Sequence, residues 1–209
     1  MHKHRALQKK SGGFLGEARE YIEKQEEKVR GSQRKQFAWF VLGFILFYTI
    51  LSGAAYMAPA IVFEASAGLP LAAALVAQGN NVGTEACVLE NGEQAFCMDI
   101  SSQQGGAEQK QIIISWLCSG VLEIIILASA MLASFGVSWK KKFIGIAVAV
   151  PAGYVFNLLR VWVTANIILT QNVATIEFAH DLLFRAVLFV YITAFYVAWF
   201  YWAAKNEKR

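Results

Sequence analysis

The sequence predicts an all-α polytopic membrane protein with about four transmembrane helices, an outer-leaflet helical segment and a small extracytoplasmic β-hairpin. Hydrophobic residues make up 56% of the chain and charged residues only 16%, and the apolar runs are longer than core helices need. The charges are also segregated. Residues 1–36 hold ten Lys/Arg and five Asp/Glu, whereas residues 64–108 hold six acidic residues and no basic one. Because Lys and Arg remain on the cytoplasmic side, the basic excess indicates membrane orientation rather than nucleic-acid binding.

Four apolar runs are predicted to span the membrane. The first is 21 uncharged residues, about 32 Å as a helix. The spans are Phe37 to Met57, Ile112 to Val137, Phe143 to about Leu169 with a kink at Pro151 and Gly153, and Phe178 to Trp202. A cytoplasmic segment (1–36) and tail (205–209) flank a membrane domain (37–204), into which an extracytoplasmic insertion (58–111) is placed.

Residues 58–78 are apolar but interrupted by Pro59, Glu64 and Pro70. If they formed a full span, the acidic loop would become cytoplasmic and residues 140–142, all lysine, would lie outside. Both placements violate the positive-inside rule. We therefore expect one or two helical pieces that lie on the outer leaflet or dip into it. The protein is then a multi-pass protein of the plasma or inner membrane with both termini cytoplasmic.

A polar loop carries Cys87 and Cys97, separated by a predicted Asn91-Gly92 turn. A three-residue loop, Asn91 to Glu93, sets the two cysteines directly opposite each other. The sequence therefore predicts a cross-strand disulfide, with Gly92 or Glu93 at positive φ, in an oxidising compartment outside the cytoplasm. The alternative is a pair of reduced, buried small residues.

Charged groups within the predicted spans cost about 3 kcal/mol each, so each is a candidate site residue, and the polar Cys118, Asn157 and His180 are considered with them. Counting helical rise places Cys118 about 9 Å below the outer boundary and Arg160 about 26 Å up the third span. His180 begins the last span, so the three side chains share one layer beneath the outer surface. The full set is Cys118, Glu123, Asn157, Arg160, His180, Asp181 and Arg185.

These residue types suit nucleophilic catalysis. A cation favours the thiolate form of a cysteine such as Cys118, and His180 can take the thiol proton and return it to a leaving amine. Arg160 can stabilise an oxyanion or hold a substrate carbonyl. Ser119 can allow a substrate backbone to approach closely, and Glu177, one turn before His180, can orient the imidazole or only cap the helix.

Structural interpretations remain open beside the catalytic one. A membrane cysteine such as Cys118 is often only a small packing residue. Arg160 can pair with Glu123 or Asp181 instead of serving a substrate, and His180 can simply lie at the interface. Asp181 and Arg185, four residues apart, have the spacing of a structural ion pair.

The order of these residues resembles the exosortase/archaeosortase family over roughly residues 40–202. Cys118-Ser119-Gly120 opens an apolar stretch, Asn157 and Arg160 lie near the outer end of the next span, and His180 precedes the last. The resemblance implies a membrane cysteine transpeptidase with Cys118 as nucleophile and with Arg160 and His180 as its catalytic partners. Arg185 is the alternative to the histidine, and many family members have more spans.

The implied substrates are exported proteins with a C-terminal motif, a hydrophobic helix and a basic end. The implied acceptor is a lipid, an amine or water, and the active site would lie near the extracytoplasmic face. The competing class is a non-enzymatic scaffold or assembly factor that binds partners through its acidic outer loop. The sequence has no metal signature or phosphate-binding loop, and no cofactor is expected.

Overall fold

The computed structural model describes residues 33–89, 92, 94–102, 109–170 and 186–205. The chain is mostly helical and carries one small antiparallel sheet. Its elements are α1 (Gln33–Tyr56), α2 (Ala60–Ala77), β1 (Asn80–Val88), β2 (Gln94–Ser102), β3 (Gln109–Ile114), a 3-10 turn (Trp116–Cys118), α3 (Val121–Ala133), α4 (Trp139–Thr170) and α5 (Leu188–Lys205).

Four of the described helices are long and apolar enough to cross a membrane, as predicted, but they are not the predicted four. They are α1, α2, α4 and α5. The expected span from Ile112 to Val137 is wrong, because its first residues form strand β3 and the helix that follows has only 13 residues. At 1.5 Å per residue α3 is about 20 Å long, short of a bilayer core of about 30 Å.

Residues 60–77 form one continuous helix, α2, which packs on the sheet and on α4. Its buried face includes Ala67, Leu71 and Leu75 and shares a core with the apolar residues of β2 and β3 and with Val161 and Ala165 of α4. The buried carboxylate of Glu64 accepts a hydrogen bond from the backbone N–H of Phe96 at 3.2 Å. This bond and the apolar face hold α2 and the central strand together.

The sheet has the order β1-β2-β3, and its first two strands form the predicted hairpin. The disulfide between Cys87 and Cys97 is confirmed, with the two Cα atoms 5.8 Å apart. The register prediction is wrong. Cys87 lies opposite Ala95 and Cys97 opposite Glu85, so the bridge joins diagonal positions across a five-residue loop, 89–93. The positive φ of 82° at Gly92 is confirmed; Asn91 and Glu93 lie outside the described residues.

The opposite end of the molecule gathers the C-terminal ends of α3 and α5 around the start of α4. Lys142 Nζ donates to Leu132 O at 2.8 Å, and Lys141 Nζ donates to Ala203 O at 2.8 Å. Trp199 Nε1 donates to Lys141 O at 3.3 Å. Lysine side chains at helix C-termini satisfy exposed carbonyls and complement the helix dipole. α4 therefore runs antiparallel to α3 and α5.

α1 packs alongside α3. The two helices lie close together at the end of the molecule that holds Lys141 and Lys142, which we call the lysine end. A Cβ built on Gly43 would lie 3.5 Å from the Ala133 Cβ. The predicted third span lies within α4, which is helical without interruption through Pro151 and Gly153. The start of the predicted last span, the segment 171–185 and the residues before 33 and after 205 lie outside the described part of the chain.

Candidate active site

Cys118 closes the 3-10 turn between β3 and α3, and its side chain is half-buried. Its N–H donates to Ser115 O at 2.8 Å, and Ser119 Oγ donates to Trp116 O at 2.6 Å. The thiol therefore precedes a helix instead of lying two turns within one, because Gly120, at φ 81°, turns the chain into α3. The helical count behind the predicted depth of Cys118 is therefore wrong, since the residues counted as helix form a strand.

Asn157 of α4 holds this turn through two contacts. Its Nδ2 donates to the carbonyl oxygen of Cys118 at 2.9 Å. Its side chain also occupies the space in front of Gly120, where an added Cβ would lie 2.6 Å from Asn157 Cγ. Only glycine combines positive φ with this close approach. The Asn157–Gly120 contact therefore fixes where the Cys118 backbone sits relative to α4.

Arg160 lies one helical turn beyond Asn157 and forms a buried ion pair with Glu123 in the first turn of α3. Nη1 of Arg160 donates to Oε1 of Glu123 at 2.9 Å, and the two side chains are 4% and 10% exposed. The alternative that Arg160 pairs with Glu123 is therefore confirmed. Removing one member of such a pair leaves an uncompensated buried charge, so the pair also fixes the two helices in register.

The chain thus closes a ring of four residues at the α3–α4 junction. The Cys118 carbonyl accepts a hydrogen bond from Asn157, which lies one helical turn before Arg160 in α4. Arg160 is in turn paired with Glu123, and the first turn of α3 connects Glu123 back to Cys118 along the chain. Glu123 carries negative charge at a helix N-terminus, where the dipole favours it. The guanidinium of Arg160 is thereby held against Glu123 at the α3–α4 junction.

Aromatic side chains anchor the other side of the turn, and these contacts were not predicted. Trp116 stacks on Tyr56 at the end of α1, with ring centroids 5.6 Å apart, and forms a T-shaped pair with Phe63 in α2, with ring centroids 5.0 Å apart. Ser115 Oγ lies 3.6 Å from the Cys118 sulfur. A serine three residues before the cysteine was the available sequence signal for this last contact, since such spacing suits a turn.

Of the remaining predicted site residues, Ser119 is described by the structure, whereas His180 and Glu177 are not. Ser119 lies in the turn, but its hydroxyl bonds backbone groups of the same turn, Trp116 O and Val121 N–H. His180 and Glu177 lie outside the described residues, so their positions stay predictions. Within the described residues no group of three or more His, Cys, Asp or Glu side chains could hold a metal ion.

The site combines a half-buried thiol, a glycine turn and a buried arginine–glutamate pair at the junction of apolar helices. No family model, no curated protein and no solved structure matches the chain. The chemistry of the site, with the sequence resemblance, therefore carries the functional interpretation.

Proposed function

We propose that the chain is a membrane-embedded cysteine transpeptidase that cleaves C-terminal sorting tails from exported proteins through a thioester on Cys118. The observation that carries the proposal is the turn around this cysteine. Its carbonyl is bonded by a buried asparagine and its chain direction is set by Gly120 packed on that asparagine. A cysteine that only fills space needs neither device, whereas a nucleophile needs a fixed position.

The sheet supports placing the site near the extracytoplasmic face. Strands β1 and β3 are the edges of the sheet, and open sheet edges do not occur in the hydrocarbon core of a bilayer. The disulfide on this sheet fits an oxidising compartment. Since α2 shares its core with the sheet, we place α2 in the outer leaflet beside it and let α1, α4 and α5 cross the membrane, while the shorter α3 returns the chain from the sheet side to the start of α4.

Exposed apolar side chains support the proposal that the protein is inserted in a membrane. Phe37, Leu46 and Ile50 of α1 are 69%, 58% and 56% exposed, and α4 and α5 carry similar side chains outward. Such continuous apolar surface on three helices is far larger than soluble monomers carry. Lysines cluster at the end of α4 opposite the sheet, which fits the cytoplasmic side.

The proposed reaction has two halves. The Cys118 sulfur attacks the scissile carbonyl, its proton passes to His180, and Arg160 stabilises the oxyanion of the tetrahedral intermediate. The C–N bond breaks, the tail amine leaves with the proton from His180, and the acyl group remains as a thioester. An acceptor then attacks the thioester carbonyl, the C–S bond breaks, and the thiol is restored.

Mass spectrometry of surface-protein C-termini tests the proposal. Cells carrying the native protein, Cys118→Ala or the control Ser129→Ala are compared at equal protein level in the membrane. Ser129 is a suitable control because it lies in the helix that follows the Cys118 turn and, among the described residues, its hydroxyl bonds Ile125 O of that helix, at 2.7 Å. Tails should be lost with the native protein and the control and retained with Cys118→Ala.

If all three strains give the same C-termini, Cys118 is not a nucleophile of this kind. The scaffold alternative then gains support, with the acidic outer strands as the binding surface. New termini that carry no added group would identify a hydrolase in place of a transpeptidase. An added group on the new terminus would identify the acceptor.

A further inference from the structure

A groove of about 230 Å³ lies between α4 and α5 at the lysine end of the molecule. It is lined by hydrophobic side chains and one glycine: Ile144, Gly145, Val148, Phe195, Ala198, Trp199 and Trp202. Ile144, Val148 and Trp202 are 52%, 55% and 43% exposed, so the groove opens on the surface of the two helices. In the membrane placement proposed above, this opening faces lipid of the cytoplasmic leaflet.

Trp199 forms the floor of the groove. Its side chain is 6% exposed and lies against Gly145, where an added Cβ would overlap the indole ring. The indole N–H donates to Lys141 O at 3.3 Å, so its polar atom is already engaged. The ring is therefore fixed between the two helices, and the groove above it is a preformed apolar site.

Two exposed lysines lie at the cytoplasmic end of the groove, one on each of its helices. Lys140 comes four residues before Ile144 in α4, and Lys205 comes three residues after Trp202 in α5. Residues three or four apart lie on the same face of a helix. Each lysine is therefore on the face of its helix that lines the groove, one turn beyond the lining residues.

The two lysines are close enough to bind one anion together. Lys141 Nζ donates to Ala203 O at 2.8 Å, so the start of α4 and the end of α5 are joined at this level. Lys140 directly precedes the first of these residues, and Lys205 follows the second by two positions. Because a lysine ammonium is carried on a flexible four-carbon stem, both groups can converge on one phosphate.

The distribution of charge makes an anion the complementary ligand. Among the described residues the acidic side chains belong to the sheet, to α2 and to the first turn of α3: Glu64, Glu85, Asp99 and Glu123. No carboxylate in this part of the chain lies at the lysine end. A soluble anion would leave the apolar groove empty, and a neutral lipid would leave both lysines uncompensated. Basic pockets between transmembrane helices on the cytoplasmic side suit anionic lipid headgroups.

We propose that this groove binds an anionic phospholipid of the cytoplasmic leaflet, with one acyl chain against Trp199 and the phosphate between Lys140 and Lys205. The inference goes beyond the proposed transpeptidase activity and rests only on the membrane placement, not on the thioester chemistry. The lipid contacts both helices at their joined ends, so it stabilises the folded protein.

Native mass spectrometry of the full-length protein in detergent tests the inference. Three probes are titrated: dioleoyl phosphatidylglycerol, which has charge and chains, dioleoyl phosphatidylcholine, which has the chains without net charge, and glycerol phosphate, which has only the anion. Phosphatidylglycerol should bind at least about tenfold more tightly than either of the others, since each lysine near an anionic group contributes about fivefold to affinity. It should also raise the unfolding temperature.

Two double variants test the headgroup contact. Lys140→Gln with Lys205→Gln should weaken phosphatidylglycerol binding about twentyfold. The control is Arg34→Gln with Lys35→Gln, which also removes two exposed cations. These residues begin α1, which reaches the lysine end but does not line the groove. The control should therefore bind phosphatidylglycerol with nearly native affinity.

Two further variants test the acyl-chain contact. Ala198→Phe fills the groove, whereas Ala147→Phe adds the same bulk to an exposed position of α4 outside it. Excluding as few as two buried CH₂ groups weakens binding about tenfold, so Ala198→Phe should lose at least that much. Ala147→Phe should bind as the native protein does. All four positions changed to Gln and both changed to Phe are exposed, so the variants should fold.

The failures are distinguishable. If the native protein does not insert into phosphatidylcholine vesicles, the membrane placement is wrong and the lipid inference falls with it. If it inserts but binds phosphatidylcholine or glycerol phosphate as tightly as phosphatidylglycerol, the lipid inference alone is overturned. Equal losses in the two Gln pairs would mean diffuse attraction, and equal behaviour of the two Phe variants would exclude the groove.

A second copy of the chain is the other possible occupant of the groove. A dimer mass that Ala198→Phe abolishes, without bound phosphatidylglycerol, would overturn the lipid inference in favour of that interface. Cys118→Ala should bind phosphatidylglycerol as the native protein does. Loss of tail cleavage in that variant with lipid binding intact would show that the two proposals stand or fall separately.

Discussion

Replacing Gly120 by alanine should separate the thiol turn from Asn157. Gly120 has φ 81°, and an added Cβ would lie 2.6–2.8 Å from three atoms of the Asn157 side chain. The left-handed backbone costs a non-glycine residue about 1–2 kcal/mol. Displacing Asn157 also breaks its bond to the Cys118 carbonyl, which adds about 1–3 kcal/mol.

Gly79 supplies a matched control, because it has φ 87° and nothing lies within 4 Å of its added Cβ. Gly79→Ala should therefore carry only the backbone cost. Thermal unfolding of the two variants in detergent should differ by about 1–3 kcal/mol, which is about 2–12 °C for a chain of this size. Alkylation of Cys118 should change rate in Gly120→Ala and stay native in Gly79→Ala.

A second background isolates the contact. In Asn157→Gly the whole side chain that Gly120→Ala would meet is absent, including the Cβ at 2.8 Å, so Gly120→Ala should then cost no more than Gly79→Ala made in the same background. Equal unfolding temperatures of the two alanine variants in the native background would refute the predicted clash. An excess cost of Gly120→Ala that persists without Asn157 would refute the assignment of the clash to that residue.

Three further predictions concern the ion pair, α2 and the hairpin. Arg160→Met should cost about 3–5 kcal/mol by leaving Glu123 buried and unpaired, and adding Glu123→Leu should recover most of it, as measured by thermal unfolding; no recovery would contradict the pairing. Glu64→Leu should cost about 1–3 kcal/mol more than Glu64→Gln in the same assay, because only Gln keeps an acceptor for the β2 amide; equal losses would contradict this bond. Reducing the Cys87–Cys97 disulfide should lower stability by about 2–4 kcal/mol, measured in Cys118→Ala with and without reductant, and an unchanged melt would contradict the hairpin clamp.

The three-stranded sheet shows which parts of the fold can be predicted from the sequence and which cannot. The spacing of Cys87 and Cys97 predicts their disulfide, because two cysteines around an Asn-Gly turn have few other geometries. It does not determine the register, since a five-residue loop with diagonal bridging satisfies the same spacing as a three-residue loop with direct pairing. The third strand was missed because the apolar run around Ile112 has the composition of a strand and of a helix start alike.

At the candidate site, the sequence identifies the residues but does not predict which of them are in contact. Helical spacing places Asn157 and Arg160 on one face of α4, and the structure agrees. Rise along a helix gives depth but not azimuth, so it could not show that Arg160 would meet Glu123 or that Asn157 would meet Gly120. Both contacts depend on how α3 and α4 cross, which tertiary packing decides.

The shortness of α3 has a consequence for the lipid around it. Its 13 residues rise about 20 Å from the lysine end to the turn that holds Cys118. In a membrane with a hydrocarbon core of about 30 Å, the thiol would lie about 10 Å below the outer edge of that core. Either the outer leaflet is thinner beside the Cys118 sulfur, or the proposed substrate peptide enters the hydrocarbon core to reach it. At fractions of a kcal/mol per Å of hydrophobic mismatch, the proposed transpeptidase should favour thin bilayers, and acyl-chain length alone should alter its turnover.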